Sequence, residues 1–475
     1  MSLMKATVRG SLWSGTATLV SLALQSLQLL VVARAISPGE YGLLAVAGLV
    51  IALSQVFIDG GMTLPLIQRR EIGPRDTAAV WWLCAGTGVS LAAAMALGGW
   101  AVGLTGSPLL GQLLAWSGVP FLFGGLGQVP GALLRREMRF GRIVAGDMAG
   151  AIGGTAATIA WILAGHGIVA VAWGAAVGAA IRLVAVCAAA PGPLFPTHGL
   201  RWADLPPLLA FGGYQIGERL LSFASFRLDQ MVIGFLSGEQ ALGLYAFAWN
   251  LVVLPMMRVS GVANGVLMPA FCRIQDDDRA ARTGYLMAVR LLAALSAPAL
   301  LGFAACAPQL VPLAFGAQWG AAVPVIQILC VFALLRTLIS PVGALVLSRG
   351  HARLNFLWHL GYAAASLPAL AIGAAVGGVL GVAVAATACM ALNLVAHVPN
   401  LLNRCIGPAG RDYAGRVSPP AALASVMALA VWWGLGISDP AWPRLIAGVA
   451  CGAALYGLGT LILLPDLRRF LPLRR

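Results

Sequence analysis

The sequence is poor in charge. Only 10% of its 475 residues are Asp, Glu, Lys or Arg, against about 25% in a soluble globular domain. With 60% hydrophobic residues and a mean hydropathy of +0.89, too little polar surface remains to face water. That shortage excludes soluble enzymes, fibrous assemblies and disordered chains together. Acids are the scarcest charge, 16 against 30 bases. The net charge of +14 therefore reflects missing carboxylates more than abundant bases, and it does not call for a nucleic-acid partner. Lysine is nearly absent; Lys5 is the only one. The eight cysteines (84, 187, 272, 306, 330, 389, 405 and 451) form no C-x-x-C pair and read as small packing residues in helices. The five histidines show no ligand spacing, so no metal site is expected. Paired carboxylates, a nucleophile with its base and a Walker loop are all missing, which leaves no catalytic residue, no cofactor and no ATP-driven step to assign.

What the sequence has is long apolar runs. A bilayer core of about 30 Å needs about 20 helical residues. The runs lack period-two alternation, so they read as helices rather than barrel strands. Spans are expected at roughly 10–36, 41–67, 77–104, 108–134, 142–165, 168–190, 207–236, 241–272, 283–307, 320–348, 353–376, 379–402, 415–437 and 442–464, fourteen in all. The first run is too long for a signal peptide, whose apolar region is ~7–15 residues, and reads as an uncleaved span. Splits at His166-Gly167 and Gly377-Gly378 rest on very short linkers.

The arginines orient these spans. Lys5 and Arg9, then Arg69, Arg70 and Arg75, then Arg135, Arg136, Arg139 and Arg142, then Arg201, all fall on alternate connections. So do Arg273, Arg279 and Arg282; Arg349 and Arg353; Arg404, Arg411 and Arg416; and Arg468, Arg469, Arg474 and Arg475, making 22 of the 30 bases. The opposite connections hold Glu40, Glu239 and Asp439, and Arg444 alone among bases. By the positive-inside rule both termini are cytoplasmic.

The chain also repeats itself. At an offset of 201, Gly10–Leu53 lies over Phe211–Leu254 with ten of 44 positions identical, including G-L-L-A-V-A (42–47) over G-L-Y-A-F-A (243–248). Six spans separate the copies, so both have the same orientation, as in transporters built from parallel repeats with the substrate between them.

Seven arginines fall inside expected spans: Arg34, Arg182, Arg219, Arg227, Arg258, Arg290 and Arg336. Arg34 and Arg182 lie nearer span ends and read as structural, reaching the interface. A charge at the helix centre costs ~2.5–3.5 kcal/mol, so the deeper five are expected to face a cavity. Along span seven, Gln215, Arg219, Ser222, Phe226 and Gln230 fall within roughly 80° of arc, with Arg227 on one edge and Glu218 and Asp229 on the other. Leu221, Leu228 and Val232 form the opposite, lipid-compatible face. Span one repeats the stripe with Ser14, Thr18, Ser21, Gln25 and Gln28. A polar cavity with an excess of guanidinium suits an anionic, polar ligand, because the guanidinium fork matches phosphate oxygens. The expected binding residues are Arg219, Arg227 and Arg258 first, Arg290 and Arg336 next, with Gln215, Asp229, Gln25 and Gln28 as polar partners. Spans thirteen and fourteen lie outside the duplication, carry no deep charge and are expected to form an apolar surface for a lipid tail.

Several motifs resemble those of a known family. A-R-A-I-S-P-G-E-Y-G (33–42), Phe57-x-Asp59-Gly60-Gly61 and L-I-Q-R (66–69) resemble the opening of bacterial polysaccharide transporters, the oligosaccharide flippases of the multidrug/oligosaccharidyl-lipid/polysaccharide exporter superfamily. L-D-Q-M-V-I-G-F-L-S-G (228–238) with L-G-L-Y-A (242–246), and F-G-A-Q-W (315–319), resemble that family's seventh span and its turn before span ten. The likeness covers spans one to ten. It implies an all-α polytopic membrane protein with two pseudo-symmetric six-helix lobes, 1–200 and 201–410, and two additional spans with a basic cytoplasmic tail in 411–475. It further implies flipping of undecaprenyl-diphosphate-linked oligosaccharide by alternating access in the bacterial plasma (inner) membrane, for O-antigen, exopolysaccharide or capsule assembly. The partners it implies are lipid-linked oligosaccharide, membrane lipids, and a polysaccharide polymerase and other glycan-assembly proteins. A cation-coupled multidrug antiporter of the same fold would want acids in its cavity. A membrane enzyme of glycan assembly would want a sizeable external loop.

Overall fold

The computed structural model describes residues 20–58, 63–68, 71–191, 196, 199, 216–217, 219–220, 223, 227–436 and 441–463, and these form helices and their connecting turns. Eleven helical stretches among them are long and apolar enough to cross a membrane, and Val20–Ala35 is a shorter apolar helix. The chain divides into two compact units, Met1–Arg227 and Leu228–Arg475.

The N-terminal unit contains α1 (Val20–Ala35), α2 (Pro38–Ile58), a single turn α3 (Leu64–Gln68), α4 (Pro74–Leu104), α5 (Pro108–Ser117), α6 (Val119–Arg136), α7 (Phe140–Leu163) and α8 (Val169–Ala189). Helix starts are written into the sequence. In the S-P-G-E segment, Ser37 N and Oγ donate to Glu40 Oε2 at 2.8 and 2.9 Å, and Glu40 N donates back to Ser37 Oγ. This is a capping box with Pro38 in the first turn, where its missing N–H costs nothing. Gly73 N donates to Asp76 Oδ2 at 2.9 Å ahead of α4, the one half of that box open to a glycine. Two expected spans are interrupted. Span 41–67 holds α2 to Ile58 and, after a turn at Thr63, α3 from Leu64, and span 108–134 is α5 and α6 joined at Gly118. The Leu66, Trp81, Cys84 and Val129 side chains form a core under α3, α4 and α6.

α7 and α8 pack on each other along a seam of small residues. A Cβ at Gly150 would lie 2.7 Å from the Gly178 carbonyl oxygen, and one at Gly154 would lie 2.8 Å from that of Gly174. The two backbones touch, so any side chain at these four positions would drive them apart.

The C-terminal unit contains α9 (227–236, its first residue the last of the N-terminal unit), α10 (Glu239–Arg273), α11 (Asp278–Phe315), a 3₁₀ turn (Ala317–Ala322), α12 (Val323–Ser348), α13 (Ala352–His397), a short α14 (Asn403–Ile406), α15 (Gly410–Gly436) and α16 (Trp442–Leu463). α13 leaves helical geometry at Gly378 (φ 53°, ψ −132°), the position where a span boundary is expected. Positive φ is open to glycine, and Gly373 meets Gly381 backbone to backbone across that turn. α10, α11 and α12 pack together, and α15 and α16 cover α11. Val232, expected on a lipid-facing surface, is instead buried in the protein, while Phe235 and Leu236 of α9 are exposed.

Motifs far apart in sequence meet in this unit. Trp319 of F-G-A-Q-W, fully buried, stacks on Phe247 at 4.0 Å, and Phe315 meets the same ring edge-on. Asp229 of L-D-Q-M accepts from the hydroxyl of Tyr245 in L-G-L-Y-A.

Candidate functional site

A cavity of about 550 Å³ lies within the N-terminal unit. Its wall along α6 is the helical stripe Gly124, Gly127, Gln128, Gly131 and Arg135, spaced three and four residues apart on one face. Three of those positions carry no side chain, which hollows the wall and leaves Gln128 and Arg135 projecting. α8 contributes Ala175, Ala179 and Arg182 at the same spacing, α2 contributes Gln55, and Arg219 completes the lining. Three guanidinium groups therefore share one cavity, and no carboxylate lines it among the described residues. Arg182 is held from behind, its Nε donating to Asp147 Oδ1 on α7 at 2.6 Å. Guanidinium forks beside amides can take phosphate oxygens bidentately and hydroxyl groups alongside.

Of the residues expected to bind, Arg219 lies in this cavity. Gln25 is exposed on α1, and Gln28 accepts from Thr155 Oγ1 of α7 at 3.4 Å. Gln215, Glu218, Ser222, Phe226, Ser14 and Thr18 lie outside the described residues, as does Asp59. Two arginines of the cavity were not expected there. Arg182 reads from sequence as an interface-seeking residue near a span end, and in the structure its side chain lines this cavity. Arg135 reads as one of a cytoplasmic basic run. The available signal was periodicity, since Arg135 is seven residues from Gln128 and Arg182 seven from Ala175, each pair on one helical face.

The remaining candidates belong to the C-terminal unit or its edge. Asp229 is buried, with Tyr245 Oη donating to its Oδ2 at 2.6 Å and its Oδ1 accepting from the Gln230 amide. Arg336 and Tyr362 lie within electrostatic reach of that carboxylate, and His359 lies within reach of Arg336. The structure thus sets Asp229 and Arg336 within electrostatic reach of each other. Arg290 is buried on α11, Arg258 is half-buried on α10, and Arg227 is half-buried at the start of α9.

A second cavity in the C-terminal unit, about 490 Å³, is bounded by α11, α15 and α16. Pro298, Phe303, Met427, Val431 and Val449 line it with small residues, and the hydroxyl of Tyr456 in the lining donates to Ala294 O at 2.9 Å. Gln309 Nε2 of α11 donates to Leu435 O of α15, so polar ties hold both last helices to α11.

The chain is similar to known proteins over most of its length. The chain is 28% identical over 442 residues to the lipopolysaccharide biosynthesis protein WzxC of Escherichia coli (strain K12), covering 92% of this chain and 89% of that protein. In fold it is similar to a structure of the lipid II flippase MurJ in an inward closed conformation, with TM-score 0.76 and 15% identity over 96% of this chain and 99% of that one. It is also similar to an inward-facing multidrug resistance MATE family transporter of the MOP superfamily, with TM-score 0.62 and 15% identity over 84% and 96%. The family described as "Polysaccharide biosynthesis protein" matches residues 31–324, more than half the chain and including every motif that meets around Asp229, Tyr245 and Trp319, and the protein belongs to that family.

Proposed function

We propose that the protein is a flippase that moves undecaprenyl-diphosphate-linked oligosaccharide from the cytoplasmic to the outer leaflet by alternating access, for O-antigen, exopolysaccharide or capsule assembly. The observation that carries this reading is the N-terminal cavity, where Arg135, Arg182 and Arg219 stand with Gln55 and Gln128 and without a lining carboxylate. Its sign suits a diphosphate head and opposes a cationic drug. The amides suit sugar hydroxyls. The apolar cavity beside α15 and α16 suits the isoprenoid tail, and its lining supports that placement. We further propose fourteen spans in two six-helix lobes plus a C-terminal pair, with both termini in the cytoplasm of a bacterial inner-membrane protein. The other deep arginines, Arg227, Arg258, Arg290 and Arg336, extend the positive field. A glycan polymerase is the partner that would consume the translocated product.

A diphosphate head carries about two negative charges, and moving it outward down an inside-negative potential gains ~2.3 kcal/mol per charge per 100 mV. The protein's own charges return to their places each cycle, so this gain belongs to the substrate. The cavity arginines lower the cost of removing the head from water by pairing with it in a low-dielectric space. The experiment is translocation of a lipid-linked oligosaccharide in vesicles with an imposed potential. Outward movement accelerated by an inside-negative potential supports the reading; export of cationic drugs without movement of the glycolipid overturns it.

A further inference from the structure

Resting on the reading of the N-terminal cavity as a diphosphate site, we propose that Asp147 is a positioning residue that aims the Arg182 fork at the anion. The ion pair is made through Arg182 Nε and one carboxylate oxygen at 2.6 Å. Nε is the one guanidinium nitrogen on the stem side, so the Nη1 and Nη2 end stays directed away from Asp147. No hydrogen bond from that end is made among the described residues, and the side chain lines the cavity. An arginine stem has four rotatable bonds and samples many directions; anchoring Nε removes most of that freedom while leaving the end-on donors for an anion.

The backbone supports the same geometry. Asp147 and Gly150 are neighbours on one face of α7, and a Cβ at Gly150 would lie 3.0 Å from Arg182 Cβ. The glycine seam thus holds the Arg182 stem against α7 beside its carboxylate anchor. Asp147 itself does not line the cavity. Its charge stands behind the guanidinium, where it orients the fork without occupying the anion's place. Both side chains are partly exposed, at 38% for Arg182 and 49% for Asp147, so the pair is worth little as a stabilising bridge and its effect falls on orientation.

The test is equilibrium binding of farnesyl diphosphate, a short isoprenyl diphosphate, to the full chain in nanodiscs. Asp147→Ala is expected to weaken binding about fivefold, the loss of one half-exposed ion pair, at unchanged site number and melting temperature. Asp147→Asn keeps an acceptor for Nε and should recover most of that loss. Arg182→Ala should weaken binding further, and adding Asp147→Ala to it should change nothing more. Tighter binding in both Asp147 variants would mean that the carboxylate competes with the anion, and would overturn the proposal. So would wild-type affinity in Asp147→Ala, or a fall in site number and melting temperature without a change in affinity. If Arg182→Ala weakens binding while Asp147→Ala does not, only the positioning role falls. If neither does, the cavity reading falls with it.

Discussion

Tyr245 donates its phenolic hydrogen to the buried carboxylate of Asp229 at 2.6 Å, joining α10 to α9 beside Arg336. Hydrogen bonds to a charged group contribute about 1.5–3 kcal/mol, so Tyr245→Phe should destabilise the protein by about that amount. Opposite charges within electrostatic reach inside a membrane protein offset each other's cost of burial, so removing one leaves the other less compensated. Arg336→Gln and Asp229→Asn should therefore each lower the melting temperature, and the double variant should recover part of the loss. Strictly additive losses in a thermal melt would show that the two charges do not compensate each other.

The cavity arginines should control transport rather than folding. Arg219→Gln is expected to abolish translocation with normal membrane insertion, and Arg219→Lys to weaken it, since the ammonium lacks the bidentate fork. Arg135→Gln and Arg182→Gln should each slow it by about tenfold or more, the range of one charge-assisted contact. Vesicle assays on all three Gln variants decide the matter. Full activity in every one is incompatible with an anion-binding cavity.

Filling the apolar cavity should discriminate by tail length. Ala453 and Ala299 line it, and Ala453→Trp or Ala299→Trp occupies volume without adding charge. Either should impair movement of the full-length isoprenoid carrier and leave farnesyl diphosphate binding in the N-terminal unit unchanged. A charged residue, as in Ala299→Asp, should impair it more, because apolar surface contributes about 0.8 kcal/mol per buried CH₂ of the tail. Equal effects on long and short carriers would place the tail elsewhere.

Orientation is open to labelling. In a background without native cysteines, single cysteines at Glu40, Glu239 or Asp439 should react with an impermeant thiol reagent from outside intact cells. Cysteines at Arg69, Arg139 or Arg411 should react only after permeabilisation. Reversal of any one of these six contradicts the topology derived from the positive-inside pattern.

Much of the fold is legible because bilayers impose length and apolarity on every crossing element. The turn at Gly378 falls where the glycine pair puts a span boundary, while α2 starts at Pro38, three residues ahead of the expected span, because the Ser37–Glu40 capping box sets it. The interruption at Gly118 is not, because α5 and α6 are apolar on both sides of it. For the site, hydropathy singled out arginines deep in a span and so found Arg219 while passing over Arg135 and Arg182, whose depth is unremarkable. What matters for those two is which helical face they share with Gln128 and Ala175. Asp147 escaped for a related reason. A single acid five residues inside span five acquires meaning only once α8 is known to lie against α7 and to present Arg182 at the same depth. Asp229 was legible as an intramembrane acid, but Tyr245 as its partner was not, since a tyrosine in an apolar run carries no mark of the bond it makes.

The glycine seam of α7 and α8 has a consequence for the transport cycle. Backbones in direct contact along Gly150, Gly154, Gly174 and Gly178 cannot slide, since a shift of one residue would press the Cβ of Ala151 or the side chain of Thr155 into the facing chain. The two helices therefore move as a single plate, and the backbone positions that carry Asp147 and Arg182 keep their spacing through the cycle. On the proposed diphosphate site, one grip on the anion would then keep its strength throughout. Release must then be governed by the opposite walls, where Gln55, Arg135 and Arg219 stand on elements free of that seam.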